Sequence, residues 1–332
     1  MQLIRTHAYA RAGLVGNPSD GFHGKTISLV LRDFRAEVVL YEWDEVEVMS
    51  SQEDRSRFHS VQELAHDVEL HGYYGGIRLV KATIKRFVDY CRQQEIALHE
   101  RSFAVRYTTN IPRQVGLAGS SAIIVASLRA LCEFYGVTIE ERIMPSLALS
   151  VETEELGIPG GLQDRVVQVY QGLVHMDFSS GAVEQANGLR CGRYERLDPD
   201  LLPPLYVAYS TDYSEPTEVF HNNLRQRFIA GEPAVVKAMQ HFAELTTQAR
   251  KAILDRDHAE LSRRIDENFD TRLSICQLPV GQVRMVETAR RLGASAKFAG
   301  SGGAIIGTLS EKTSYEELQH AMTGIGCHTI RA

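Results

Sequence analysis

Gly116-Leu-Ala-Gly-Ser-Ser-Ala122 is the stretch on which the reading of this chain turns. Its glycines and small side chains let backbone N–H groups come close to an anion. A helix opening at the serines would add its own unpaired N–H groups and the positive end of its dipole. Gly116, Leu117, Ala118, Gly119, Ser120 and Ser121 therefore read as a nest for a triphosphate, and a serine hydroxyl can serve there as a hard oxygen ligand. The same letters also suit an ordinary N-cap, because serine opens many helices that bind nothing. Upstream, Ser102 to Thr109 alternates as a strand and Asn110-Ile-Pro-Arg-Gln-Val leads from it into the glycines; downstream the residues turn strongly apolar and helical. A strand, a tight loop and a helix thus frame the candidate anion site.

Outward from this centre the pattern is α+β. Residues 8 to 49 are rich in Val, Leu, Ile and Thr and predict strands; residues 56 to 94 carry helical spacing introduced by Gly75-Gly76 and predict two helices. Helical periods cover about 139 to 156 and 161 to 170, and Gly172 to Phe178 reads as a strand. Residues 179 to 204 read as irregular and contain Pro199, Pro203 and Pro204, which places a domain change near them. Helices are then expected at about 216 to 254, 257 to 276 and 280 to 292, followed by strand, glycine loop, strand, helix and strand. The expected division is 1–195 and 196–332. Ser19-Asp-Gly-Phe-His-Gly-Lys25-Thr26 nearly fits the P-loop pattern, but it starts with serine, and β-branched residues follow where a P-loop opens a helix.

With 332 residues, 44% hydrophobic and 23% charged, the chain has ample apolar material for two globular domains. A net charge of -6 without a block of like charges excludes a general nucleic-acid binder, so an anionic substrate has to be met by locally placed cations and amides. The five cysteines form no CxxC pair, which predicts neither a metal cluster nor a disulfide framework and fits a reducing cytoplasm. No signal-like h-region or membrane-spanning apolar run is read in the sequence, so neither secretion nor membrane insertion is expected.

Three separated segments, Arg11-Ala-Gly-Leu-Val-Gly-Asn-Pro-Ser-Asp20, Pro112-Arg-Gln-Val-Gly-Leu-Ala-Gly-Ser-Ser-Ala122 and Lys297-Phe-Ala-Gly-Ser-Gly-Gly-Ala304, resemble in kind and order the motifs of the GHMP kinases. Leu156-Gly-Ile-Pro-Gly-Gly-Leu-Gln-Asp164 stands between the second and third. Within that superfamily, Gly16-Asn-Pro-Ser-Asp, Gly72-Tyr-Tyr-Gly-Gly-Ile-Arg-Leu79, Asn110-Ile-Pro-Arg-Gln and the run from Gln163 to Asp177 look most like glucuronokinases. The resemblance implies a ribosomal-S5-like N-terminal domain, a ferredoxin-like C-terminal domain and a site in the cleft between them. It implies ATP and Mg²⁺ as cofactors and a uronic acid as acceptor, in a monomer or homodimer that binds neither nucleic acid nor membrane.

By the same resemblance Asp164 becomes the catalytic base or an orienting group, and Arg11 the cation that lowers the base's pKa and faces the transferring phosphoryl group. Ser121 and Glu152 become the magnesium ligands; Pro112, the loop residues 116 to 121 and Gly302 meet ATP. Asp20 meets a sugar hydroxyl, and Lys25, Tyr74, Arg78 and Arg113 are candidates for the sugar and its carboxylate. Each position has a plainer reading as well: Asp164 as a surface partner of Arg165, Glu152 with Glu154 and Glu155 as a solvated helix face, and the 300–303 glycines as a simple turn. A kinase for another sugar, such as a heptose phosphate or a neutral hexose, and a catalytically silent sugar and nucleotide sensor are the alternative functions.

Overall fold

Long apolar alternation at the start of the chain produces the two strands that organise the molecule. In the computed structural model, which describes residues 2–49, 75–210, 224–310 and 313–332, β1 (Leu3–Val15) and β2 (Lys25–Trp43) pair antiparallel from Leu3 opposite Tyr41 to Val15 opposite Ile27. The outer half of β1 alternates exposed and buried side chains, whereas every residue from Ala10 to Val15 is buried. A register shift between Tyr9 and Ala10 marks the change, and bulges of this kind re-aim the side chains that follow. Arg11 lies just inside the buried half. Lys25 and Thr26 open a strand and not a helix, so the P-loop-like segment does not have P-loop geometry.

Beyond β3 (Glu47–Val48) come α1 (Gly76–Gln93), β4 (Ser102–Thr109), α2 (Gly119–Tyr135), α3 (Met144–Ser150), α4 (Gln163–Tyr170) and β5 (Leu173–Asp177). On the edge of β2 away from β1, β4 pairs with residues 36–43 and β5 with residues 25–29. Helix α2 is apolar nearly all round and buries Ile123, Ile124, Val125, Leu128 and Leu131 against this sheet and α1; each such side chain contributes about 1.5–3 kcal/mol. It ends at Gly136, whose φ of +66° suits the left-handed stop, and Val137 N–H bonds back to Cys132 O at 2.9 Å.

The expected irregular stretch 179–204 instead holds β6 (Glu184–Ala186), β7 (Leu189–Cys191) and β8 (Arg193–Leu197), of which β8 pairs with β5 and closes the first sheet. The second sheet starts at β9 (Leu205–Tyr209). Next are α5 (Pro233–Leu254), α6 (His258–Ile275) and α7 (Val280–Arg291), then β10 (Lys297–Phe298), β11 (Ala304–Thr308), α8 (Tyr315–Thr323) and β12 (His328–Arg331). The antiparallel order β10-β11-β9-β12, with helices after β9 and β11, is the ferredoxin-like βαββαβ arrangement. The helix expected over 216–254 is interrupted, because Gly231 adopts a φ of +71° and Pro233 starts α5 afresh. Residues 50–74, which include Tyr73, Tyr74 and the first of the two helices expected over 56–94, lie outside the described residues.

One core joins the two sheets, where Leu14 and Val15 of β1 cluster with Phe242 and Leu245 of α5 and Ile265 of α6, while Tyr206, Ala208 and Ile305 on the other face of the second sheet build a separate cluster with α7 and α8. Among the described residues no helix is long and apolar enough to cross a membrane.

Candidate active site

The glycine loop has the geometry its letters suggest. Gln114, Gly116 and Ala118 all take left-handed φ values, 58°, 69° and 64°, and alternating left-handed residues are how a backbone turns its N–H groups into an anion-binding concavity. Ala118 occupies the N-cap position of α2 and no side chain caps the helix, so the ordinary serine N-cap is not what occurs here. The first-turn amides keep the unpaired character of a helix start. The strain of a left-handed alanine is offset locally, because Ala118 O accepts from Gln168 Nε2 at 2.8 Å, Ser121 Oγ at 3.2 Å and Ala122 N at 3.3 Å.

Arg11 connects this loop to the chemistry beside it. Its backbone N–H donates to Leu117 O at 3.1 Å. Its Nη1 donates to Gly116 O at 3.2 Å and Ala299 O at 2.7 Å, and its Nη2 is ion-paired with Asp164 Oδ1. Asp164 stands in the first turn of α4, and its second oxygen lies 3.4 Å from Arg165 Nη1. The aspartate is thus held between two guanidinium groups, and neither arginine is at the surface: Arg11 is 5% exposed and Arg165 4%.

Burial separates Glu152 from its acidic neighbours. All three lie on the π-helical turn Val151–Glu155 that continues α3; Glu154 pairs with Arg86 and Glu155 with Lys85, whereas Glu152 is buried. Such turns recur at functional sites. Ser120 Oγ donates to Glu152 Oε1 at 2.9 Å, and Arg165 Nη2 pairs with Oε2. The serine beside Glu152 is therefore Ser120; Ser121 is fully buried and donates its hydroxyl to Ala118 O. Desolvation pulls the Arg165 guanidinium down to about 9, with repulsion from Arg11 adding to it.

The Gly160-Gly161 pair is explained by what presses on it. A methyl group on Gly161 would run into the Asp20 carboxylate, and one on Gly160 would stand 3.3 Å from Arg165 Nη2. Asp20 accepts weakly from Gln163 N–H at 3.4 Å. Burial, followed by the charge of Asp164, raises its carboxyl to about 6. Around this cluster Arg11 Nε, Gln163 Oε1, Arg165 Nε and Gln168 Oε1 are buried without a hydrogen-bond partner among the described residues, and such a concentration calls for a ligand or ordered water.

The C-terminal glycine loop forms the back wall. A Cβ on Gly116 would lie 2.8 Å from Gly302 O, and one on Gly300 would strike Gly116 O, so both loops need glycine to meet. Arg272 Nη1 holds Gly300 O at 2.7 Å, and its guanidinium lies over the Phe298 ring at 4.9 Å. Lys297 is turned inward, 1% exposed, and donates to Gly13 O, Asn17 Oδ1 and Phe298 O at 2.5–2.7 Å. Burial, then Arg272 and Arg11, depress its ammonium well below the ordinary lysine range. Asn268 accepts from Gly16 N–H at 2.6 Å and donates to Asn17 O at 3.2 Å. The turn that carries Asp20 is thus gripped from the second sheet.

The structure brings Arg11, Asp20, the 116–121 loop, Glu152, Asp164 and Gly302 into one neighbourhood. Of the other candidates, Lys25 pairs with Asp177 at 3.3 Å, Arg78 is exposed with Nη2 3.5 Å from Leu156 O, Arg113 is exposed three residues before Gly116, and Tyr74 is outside the described residues. Pro112 is partly buried at the loop entrance. Arg165, Gln168, Asn268 and Arg272 were not singled out by sequence. For the last two a signal existed, because Asn268 and Arg272 fall on the face of α6 that buries Leu261, Ile265 and Phe269, where an unexplained polar residue points to a specific partner.

As a donor set, Glu152 Oε1 and the Ser120 hydroxyl are hard oxygens beside the phosphate loop and fit Mg²⁺. No group of three or more His, Cys, Asp or Glu side chains is placed to hold a metal ion among the described residues. An ion there would draw its remaining ligands from phosphate and water.

The family profile described as "GHMP kinases N terminal domain" matches residues 78–172. Glucuronokinase 1 of Arabidopsis thaliana is 42% identical over 310 residues, 91% of this chain and 84% of that protein. The D-glycero-alpha-D-manno-heptose 7-phosphate kinase of Campylobacter jejuni is 22% identical over 84% of this chain and 79% of that protein. Among solved structures, Lactococcus lactis galactokinase complexed with galactose superposes with a TM-score of 0.79 at 14% identity, covering 100% of this chain and 93% of that one. Streptococcus pneumoniae phosphomevalonate kinase in complex with phosphomevalonate and AMPPNP gives 0.73 at 15%, covering 100% of both.

Proposed function

Since this chain belongs to the GHMP kinases, phosphotransferases with an alcohol group as acceptor, we propose that it transfers the γ-phosphoryl group of ATP to the anomeric hydroxyl of D-glucuronate, giving glucuronate 1-phosphate and ADP. The sugar assignment is supported by the 42% identity to Arabidopsis glucuronokinases over about nine-tenths of the chain.

In this reading the amides of residues 116 to 121 hold the phosphates, and Asp164 accepts the proton of the acceptor hydroxyl as the new O–P bond forms. Arg11, ion-paired with that carboxylate, faces the transferring group; Asp20 orients the sugar. Glu152 with Ser120 or Ser121 would hold Mg²⁺, which supplies neutralisation of phosphate charge. The observation that carries the reading is the single Arg11 guanidinium bonded to both Gly116 O and Asp164: the base candidate stands one side chain away from the glycine turn.

Purified protein assayed for ADP release against glucuronate, galacturonate, neutral hexoses and a heptose phosphate tests it. Turnover of a neutral sugar with none on glucuronate would refute the substrate. Asp164→Asn is expected to lower kcat by about 10²-fold or more with ATP binding nearly unchanged; unaltered turnover removes Asp164 from its role.

A further inference from the structure

We propose that Arg165 is a positioning residue for phosphoryl transfer: touching neither substrate, it holds Asp164 and Glu152 in register with the phosphate loop. The proposal rests on the kinase reading above, though not on which sugar is the acceptor.

The contacts form a closed circuit. It leaves the phosphate loop at Ser120 Oγ, crosses Glu152 to Arg165, passes to Asp164 and then Arg11, and returns to the loop at Gly116 O. Arg165 is the member that joins the two carboxylates. Its fork is held on several sides: Nη1 donates to Gly161 O at 2.7 Å, and the guanidinium lies close against Gly160, 3.3 Å from where a Cβ would stand. A buried ion pair adds little net stability over an apolar packing, so a pair that served only to anchor α4 would need one carboxylate. Here one planar fork spans two, on different elements, which a lysine's single ammonium cannot reproduce.

The consequence falls on Asp164. Arg11 holds Oδ1 and Arg165 faces Oδ2, so the plane of the carboxylate is set. Without Arg165 the carboxylate turns about Cβ–Cγ while its bond to Arg11 persists, and the acceptor hydroxyl meets a misaligned oxygen. The phosphate loop and Asp20 keep their own contacts, so substrate binding is spared.

Arg165→Gly and Arg165→Lys are assayed with whichever sugar the parent protein turns over fastest. Folded Arg165→Gly is expected to lose about 10²-fold in kcat, the size associated with a displacement near 1 Å, with KM for ATP and for sugar within about threefold of the parent, where a uniform binding loss would instead appear in KM. Millimolar guanidinium is expected to restore at least about tenfold of that turnover to Arg165→Gly and none to Asp164→Asn, with Arg165→Lys intermediate. If the glycine variant does not fold, Arg165→Lys, which keeps a cation in the buried site but not the planar fork, must show a kcat loss of about tenfold or more at unchanged KM. A folded variant with kcat within about threefold of the parent overturns the proposal. So does a sugar KM that rises while kcat holds, or a kcat loss in folded Arg165→Gly that guanidinium leaves untouched. A parent active only on another sugar sinks the glucuronate assignment and leaves this test intact; a parent inactive on every sugar sinks both.

Discussion

Replacing Gly161 with alanine adds one methyl group at a place where the structure leaves none. The new Cβ would overlap Asp20 Oδ2 and sit 2.9 Å from its Cγ. Gly161 does not have a left-handed φ, so alanine is acceptable to the backbone and should stabilise by about 0.4–1 kcal/mol through the unfolded chain. Any loss therefore comes from the contact. Relieving it moves the carboxylate by about 1 Å, and a charge-assisted hydrogen bond to the sugar lost in that way is worth about 1.5–3 kcal/mol, roughly 10- to 100-fold in affinity. Calorimetric titration with sugar and, separately, with a non-hydrolysable ATP analogue should show that loss for the sugar alone. The matched control is Gly157→Ala in the same segment: its φ is +66° and nothing lies within 4 Å of the added methyl, so it should cost about 1–2 kcal/mol of stability without moving sugar affinity. If Gly161→Ala binds sugar as the parent does, or loses nucleotide by an equal factor, Asp20 does not face the acceptor.

Gln168→Met keeps the shape of a fully buried side chain and removes its bond to Ala118 O; KM for ATP should rise about 5- to 10-fold, near 1 kcal/mol, with KM for sugar flat in steady-state assays, and the opposite split would contradict the loop assignment. Because the Asp20 carboxyl is raised to about 6, KM for sugar should climb as pH falls through about 6, and Asp20→Asn should abolish the trend. The linkage sign separates this from unfolding: between about 6 and its ordinary value near 3.8 the folded state binds the extra proton, so this group favours folding as pH drops, and melting curves over the same range should show no loss traceable to it.

Much of this was legible in the letters, and the failures have physical causes. Strand 102–109 was readable to the residue, because its β-branched and aromatic residues run straight into the turn signal Asn110-Ile-Pro. The stretch 179–204 was not, since strands of three residues are too short to establish a period and the prolines near them suggest loop. Helical spacing over 139–156 conceals a switch from α to π geometry at Val151–Glu155, because a π turn keeps the same residues in sequence while rotating them about the axis. The break at Gly231-Glu-Pro233 was written in the chain and overridden by the apolar period on either side. In the site, Arg11, Asp164 and the glycine loop follow from resemblance and composition together. Arg165 did not, because a charged residue beside another charged residue looks like surface until the fold shows both facing inward.

The side chains suspected of chemistry, from Arg11 to Arg165, are all translated before the second sheet exists. Yet the amide of Gly13 and the guanidinium of Arg11 are both completed by the carbonyl of Ala299, and Gly116 rests on Gly302. A half-synthesised polypeptide emerging from the ribosome therefore carries those side chains without the carbonyls that fix Arg11, Gly13 and Gly116 in place.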